Sequence, residues 1–382
     1  MLSIVGIADV GSVHTHKWAN YFAERGHDVH LIPYAPWPPA AARELAARVS
    51  VADWTLPSLH LKRFWITIRS VRRIRDLVRR RRAHLVHAHF LGAGAWYAGL
   101  AGRHPLVVSV MGGGDVRGTR WEPQSPVDRL LTPYTLKRSD LVTCWSRNLA
   151  RAVRPLVPPR TAVEVVLGGV DLGVFRRHPD VRDVRRRLNL AAADFVIFAP
   201  RLFWPLQNIE TIVRAMPLVI SAEPRARLVL VKYRAAAFPE HEARIERLID
   251  ELGIRPAVRL AAPIAYSEMP AHYSAADCTV SVPSTDGTPM TVMESLAIGT
   301  PAVIGDLPDY DPEIFADGET VVRVRVADAA ALANGVLRLR RDERLRETLR
   351  QNGRRIVSER ADYRTEMSRL ESLYAHLLSP LS

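Results

Sequence analysis

Short apolar runs rich in β-formers alternate with helical patterns along nearly the whole chain, and this alternation is what most restricts the fold. Strands separated by crossover helices pair in parallel, so the sequence predicts an α/β protein with parallel sheets. Strand patterns fall at residues 4–8, 28–32, 84–89, 105–110, 141–145 and 163–167. Residues 170–180 read as a linker, and the pattern then restarts at 195–199, 227–231, 257–260, 278–282, 302–304 and 320–324. Helices are expected at 15–25, ended by Gly26, and at 327–339, 343–358 and 364–378. The last carries Met367, Leu370, Leu373, Tyr374 and Leu377 on one face. Two doubly wound, Rossmann-like halves result, residues 1–175 and 176–361. Ligands of such sheets lie at the carboxyl ends of the strands, so two facing halves make a cleft.

The chain has 382 residues, enough for two ordinary domains, and its 48% hydrophobic and 24% charged content marks a globular protein rather than a disordered one. Cys144 and Cys278 lie far apart, form no disulfide framework and suit a reducing cytosol. Met1 to Ile4 runs directly into a strand pattern, so no secretion signal is expected. No apolar run approaches the ~20 residues that span a bilayer.

The net charge of +13 is concentrated. Between Lys62 and Arg82 stand ten Lys or Arg against Asp76 alone, a local +9. Phe64, Ile68, Val71, Ile74 and Val78 recur there at helical spacing. Three readings fit: a surface helix packed on a sheet with solvated arginines, a docking surface for anionic lipid headgroups, or a nucleic-acid contact, the least favoured.

Chemistry concentrates in Asp286-Gly287-Thr288-Pro289-Met290-Thr291-Val292-Met293-Glu294, which follows the strand pattern 278–282. Thr288 suits a helix cap and Pro289 the first helical position, and Gly299 stops the helix. The N–H groups of Gly287, Thr288, Met290 and Thr291 would then be free at a helix start, which attracts phosphate. Two carboxylates bracketing such an anion site suit a molecule that is both phosphate and polyol, namely a sugar nucleotide. The competing reading is a capped helix with two surface acids.

This segment resembles the E-x7-E element of family-4 retaining glycosyltransferases of the GT-B fold (glycosyltransferase group 1), here as Asp-x7-Glu. The resemblance implies that Asp286 binds sugar hydroxyls, that Glu294 binds the ribose, and that the backbone from Gly287 through Pro289 to Thr291 holds sugar and diphosphate. It extends over nearly the whole chain. Arg201, after the strand 195–199, matches the arginine of the family's Arg…Lys element, and a guanidinium there can hold a diphosphate bidentately. Gln207 or Leu206 stands where the lysine falls; Gln207 donates a hydrogen bond but no charge. Lys232, ending the next strand, is a candidate for the missing cation or an ordinary exposed lysine. Val170-Asp171 through Phe175 resembles the family's Asn-Gly-Val-Asp-x-x-x-Phe, a fold marker, with Gly168 for asparagine. The family also implies that the terminal helix, residues 362–382, crosses back onto the first domain.

On the first half, Gly11, Ser12 and His14 lie in a loop resembling the family's first-domain loop, which faces donor and acceptor. His87 and His89 end a strand on one face. These histidines read either as cleft-edge groups or as satisfied structural ones; as a zinc pair they lack an accompanying acid or cysteine, and no metal site is expected. Met111 or Gly112 occupies the place of the histidine in the family's His-Gly-x-Asp, while Asp115 matches its acid. Asp309-Tyr310-Asp311 reads as a turn.

The resemblance implies a metal-independent, hexosyltransferase-type enzyme with no cofactor. It would move a sugar from a nucleoside diphosphate donor to a hydroxyl of a glycan, lipid or small-molecule acceptor, with retention. Such transfer serves polysaccharide, glycolipid or natural-product glycoside synthesis, in the cytoplasm or peripherally at the inner face of the membrane. Two rivals stay open: a nucleotide-sugar epimerase or phosphorylase on the same fold, and a non-enzymatic binder working through the basic helix.

Overall fold

In a computed structural model, the structure describes residues 1–37, 45–59, 64–102, 104–112, 126–232 and 238–379. The chain forms two compact units, Met1–Gly168 with Arg364–Ser382, and Gly169–Tyr363.

The first unit contains β1 (Ser3–Ala8), α1 (Val13–Glu24), β2 (Asp28–Pro33), β3 (Val49–Val51), α2 (Phe64–Arg80), β4 (Leu85–His89), α3 (Ala93–Ala101), β5 (Leu106–Val110), α4 (Pro126–Arg138), β6 (Leu141–Cys144), α5 (Arg147–Val153) and β7 (Ala162–Val165). Its parallel sheet runs β3-β2-β1-β4-β5-β6-β7. The strands of its centre are buried on nearly every residue, as strands covered by helices on both faces must be. The sequence pattern had missed only the short β3.

The second unit contains α6 (Arg182–Arg187), β8 (Phe195–Ala199), α7 (Ile209–Ala222), β9 (Ala226–Val231), α8 (Pro239–Glu251), β10 (Val258–Ala261), α9 (Met269–Ala275), β11 (Cys278–Ser281), α10 (Met290–Ile298), β12 (Ala302–Gly305), β13 (Val322–Val324), α11 (Ala329–Arg341) and α12 (Glu343–Arg360). Its order is β10-β9-β8-β11-β12-β13, all parallel. Both sheets reverse their direction of winding once, between β1 and β4 and between β8 and β11. At such a switch point the flanking crossovers lie on opposite faces and leave a crevice beyond the carboxyl ends of the two strands.

The boundary falls at Gly168/Gly169, not after Phe175. Val170 pairs with the 361–363 strand-like segment through Val170 N–H to Ala361 and Tyr363 N–H to Val170. Phe175 packs on Tyr266 and Tyr273, both in the second unit. Gly169 has φ +64°, and a Cβ there would stand 2.5 Å from the Tyr363 Cα, so only glycine fits.

The last helix, α13 (Tyr363–Leu378), belongs to the first unit from Arg364 onward, two residues later than the expected start at 362. Tyr374 stacks on Phe22 with ring centroids 5.1 Å apart, Glu371 bonds His27 at 2.9 Å, and Glu366 accepts the Leu167 N–H at 2.6 Å.

Candidate functional site

The residues singled out on the second unit gather at its switch point. Arg201 follows β8 directly and Asp286 lies in the loop after β11, the neighbouring strand. Their side chains meet: Arg201 Nη2 donates to Asp286 Oδ2 at 2.8 Å, with only 13% and 17% of the two side chains exposed. Arg201 Nη1 donates to Thr291 Oγ1 at 3.2 Å and Nε to Gln207 Oε1 at 2.5 Å. Burial works against the guanidinium's charge, but the Asp286 carboxylate together with the Tyr310 and Tyr273 hydroxyls outweighs it, so the Arg201 pKa is raised. Gln207, one of the two residues where the resemblance puts a lysine, thus holds Arg201 by accepting from its Nε.

Backbone stitching keeps the two loops in register. Ser284 N–H bonds Leu206 O at 2.8 Å, and Asn208 Nδ2 bonds Val282 O at 3.0 Å. Asn208 adopts φ 49° at the cap of α7, a left-handed conformation that asparagine tolerates better than most residues.

Four expectations need correction. The helix after Asp286 begins at Met290, with Pro289 at the cap position: Val292 and Met293 N–H both bond Pro289 O, so Thr288 is not the cap. Gly287 N–H is not free for a ligand, since it donates to Asp286 Oδ1 at 2.9 Å. Lys232 is no free cation: its Nζ lies 2.9 Å from Glu242 and is also paired with Glu246, both on α8. Ser12 is the cap of α1, which starts at Val13 rather than Thr15, and its Oγ accepts the His14 N–H at 3.3 Å. Gly299 does stop the helix, at φ +81°.

Glu294, one turn into α10, is buried and accepts from Tyr273 OH at 3.0 Å. Tyr266 stands on it too: burial and the Glu294 carboxylate raise its phenol pKa. Neither tyrosine was singled out from the sequence. Both lie in the segment before β11, and only the fold brings that segment under α10.

On the first unit, His14 and His89 flank the β1/β4 switch point, and Met111 follows β5. His89 is 2% exposed, and among the described residues neither of its ring nitrogens has a hydrogen-bond partner. Burial pushes its pKa down to about 3; burial, Lys17 and His89 do the same to His14. His87, the other member of the pair, is structurally satisfied. Trp18 Nε1 donates to Tyr374 OH at 3.1 Å, Tyr374 bonds His87 Nδ1, and His87 Nε2 bonds Ser109 Oγ at 2.7 Å. Tryptophan can only donate, so the Tyr374 oxygen accepts from Trp18, and its own proton is available to His87 Nδ1. Gly11 N–H is held by Asp9 Oδ1 at 2.9 Å. Met111 is buried. Gly112 is the last described residue before a gap in which Asp115 lies; Asp115 and Lys62 are outside the described residues.

The basic helix α2 buries Val71, Ile74 and Leu77, not the full expected stripe. Phe64 is exposed with Ile66 and Trp65, the last at 71%, and Val78 is only partly buried. Arg75 is structural, bonding the Ala101 and Leu100 carbonyls at the end of α3. Among the described residues, no helix is long and apolar enough to cross a membrane, and no group of three or more His, Cys, Asp or Glu is arranged to hold a metal ion.

Comparison with known proteins agrees with this architecture. The Glycosyltransferase Family 4 model matches residues 11–174, and the Glycosyl transferases group 1 model matches residues 181–356. The fold is that of the GT-B glycosyltransferases: Anabaena HepE, solved in complex with UDP-glucose, superposes with a TM-score of 0.82 at 17% identity, over 98% of this chain and all of that one. The chain belongs to glycosyltransferase family 4. Among curated relatives, a D-inositol 3-phosphate glycosyltransferase of Kineococcus radiotolerans is 27% identical over 61% of this chain and 56% of its own length. An N-acetyl-alpha-D-glucosaminyl L-malate synthase of Bacillus anthracis is 21% identical over 93% and 91%. The chain spans about half the length of the first relatives, 56% and 50%.

Proposed function

We propose that the chain is a retaining, metal-independent glycosyltransferase that moves a hexosyl group from a nucleoside diphosphate sugar to an acceptor hydroxyl. The observation that carries this reading is the buried Arg201–Asp286–Thr291 constellation at the β8/β11 switch point. A guanidinium and a carboxylate side by side serve the two halves of such a donor: Arg201 takes the diphosphate and stabilises its charge on departure, and Asp286 takes sugar hydroxyls. Glu294, oriented by Tyr273, takes the ribose. The amides of Thr288, Met290 and Thr291 at the start of α10 complete the anion site. Asp286 and Glu294 are both committed to partners, so neither is assigned as a nucleophile; the departing phosphate itself takes the acceptor's proton on the same face. Retention then gives an α-linked product from an α-linked donor. Both matched models describe transferases, which favours transfer over epimerisation or phosphorolysis.

The acceptor side is assigned to the first unit, around Gly11, Ser12, His14, His89, Met111, Gly112 and Asp115. The protein works in the cytoplasm at an anionic membrane surface. The exposed Phe64, Trp65 and Ile66 open the helix that goes on to expose Arg69, Arg72, Arg79 and Arg80 along its length, and this mixture of apolar and cationic side chains suits a headgroup layer. Neutralising Arg72, Arg73, Arg79 and Arg80 should abolish binding to phosphatidylglycerol vesicles while donor turnover persists.

The central test is a melting-temperature screen with UDP-glucose, UDP-N-acetylglucosamine and GDP-mannose, followed by product analysis. At least one donor should raise the melting temperature, and Asp286→Ala and Arg201→Ala should each abolish the rise. A donor consumed without glycosylated product would eliminate transfer. If no sugar nucleotide stabilises the chain, the donor site is wrong.

A further inference from the structure

Beyond Asp286, toward the other edge of the second sheet, lies a group that the donor-site reading leaves unused. Tyr310 sits in the turn after β12; its ring is packed against Phe315 at 5.2 Å between centroids, and it is 2% exposed. Among the described residues its hydroxyl has no hydrogen-bond partner. It lies close enough to the Asp286 carboxylate to interact with it but lacks the geometry of a formed hydrogen bond, and Arg201 and Arg323 are its other charged neighbours. Arg323 Nη2 is held by Asp306 Oδ1 at 2.5 Å and donates to Leu307 O at 3.1 Å, while among the described residues its buried Nε has no partner. A phenol left without a formed hydrogen bond in so dry a place is costly, and a hydroxyl kept there calls for an explanation.

Arg201 supplies one. Its guanidinium now holds Asp286, Thr291 and Gln207. To turn toward a diphosphate it must loosen its hold on Asp286. The carboxylate would then keep only the Gly287 N–H, a poor complement for a buried charge. Burial, first, and the neighbouring carboxylate hold the Tyr310 phenol well above its ordinary pKa, so it stays a donor.

We infer that Tyr310 is a positioning residue for the donor: its hydroxyl takes over the Asp286 carboxylate when Arg201 transfers to the diphosphate. This rests on the donor-site reading above and adds to it a partner exchange, Arg201 to phosphate and Tyr310 to Asp286. The hydroxyl stands near the carboxylate without a formed hydrogen bond in the ligand-free arrangement and bonds it in the bound one.

That asymmetry makes the test selective. Tyr310→Phe deletes one oxygen and keeps the ring. It should leave the ligand-free melting temperature unchanged or slightly higher, since an orphaned hydroxyl is removed. Dissociation constants for inorganic pyrophosphate, UDP-glucose and GDP-mannose, measured by calorimetry, should rise about tenfold for whichever of them the native chain binds. In an Asp286→Asn background, where Arg201 no longer leaves a charge behind, the same change should cost less than twofold, so the two effects are not additive. A purely structural Tyr310 predicts the reverse: a lower melting temperature and unchanged affinity. If the native chain binds these ligands and Tyr310→Phe binds them within twofold of it, the partner exchange is wrong and the donor site stands. If the native chain binds none of them, the donor-site reading falls and this inference with it.

Discussion

The two units wind the same way around a switch point, yet they furnish it with opposite chemistry. At the edge of the second sheet, charge is set against charge: Arg201 with Asp286, Lys232 with Glu242, Arg323 with Asp306. At the edge of the first, the groups are neutral imidazoles and aromatic rings, with Trp18 edge-on to His87 at 5.2 Å and to His89 at 4.6 Å. A shared topology therefore places a site without choosing its chemistry. The charged edge suits a ligand that carries charge and can replace one ion-pair partner by another. The neutral edge resists protonation and offers hydrogen bonds only, as an uncharged hydroxyl acceptor would need.

Three changes would break or sharpen this contrast. The largest effect belongs to the charged edge: Glu294→Ala should lower kcat/KM for the donor by about 100-fold, because the ribose contact and the partner of Tyr273 vanish together. A loss confined to thermal stability would make Glu294 a packing residue instead. Next, Tyr374→Phe should cost the first unit about 2 kcal/mol, measured by denaturant unfolding, because Trp18 and His87 each lose a buried partner. Donor affinity should not change, and a change would mean that the two edges are not independent. The smallest effect, counted per pH unit crossed, is acid sensitivity. His89 and His14 titrate near 3 in the folded chain against 6.5 when unfolded, so below pH 6.5 the unfolded chain binds more protons. Their contribution is complete above pH 6.5 and is lost as pH falls toward 3, at up to about 1.4 kcal/mol per pH unit for the fully buried His89. Replacing His89 by Gln should flatten that slope; an unchanged slope would show that other groups carry it.

Much of this was legible in the chain. Short, largely apolar runs separated by helical patterns located twelve of the thirteen strands of the described residues, because a strand covered on both faces is buried along its length. The missing one, β3, is three residues long and only partly buried, too short to show a period. Arg201, Asp286 and Glu294 were found through their resemblance to the family's motifs, beyond strands that the pattern had located. Lys232 was misjudged because position alone was used: it does end β9, but its partners lie on α8, ten and fourteen residues away. Phe64 was placed on a buried stripe because helical periodicity tells which residues share a face, not how far along the helix the neighbouring layer extends.

Sequence alone determined the class of fold, the family and which residues stand at the carboxyl ends of the strands, since local patterning and turn chemistry act over a few residues. Tertiary structure decided what those residues hold. That Arg201 grips Asp286 across 85 residues, that Tyr374 reaches His87 across 287, and that Tyr310 faces a carboxylate it does not yet bond are consequences of packing. Partnerships at such separations depend on where whole strands and helices come to rest, and no local signal encodes them.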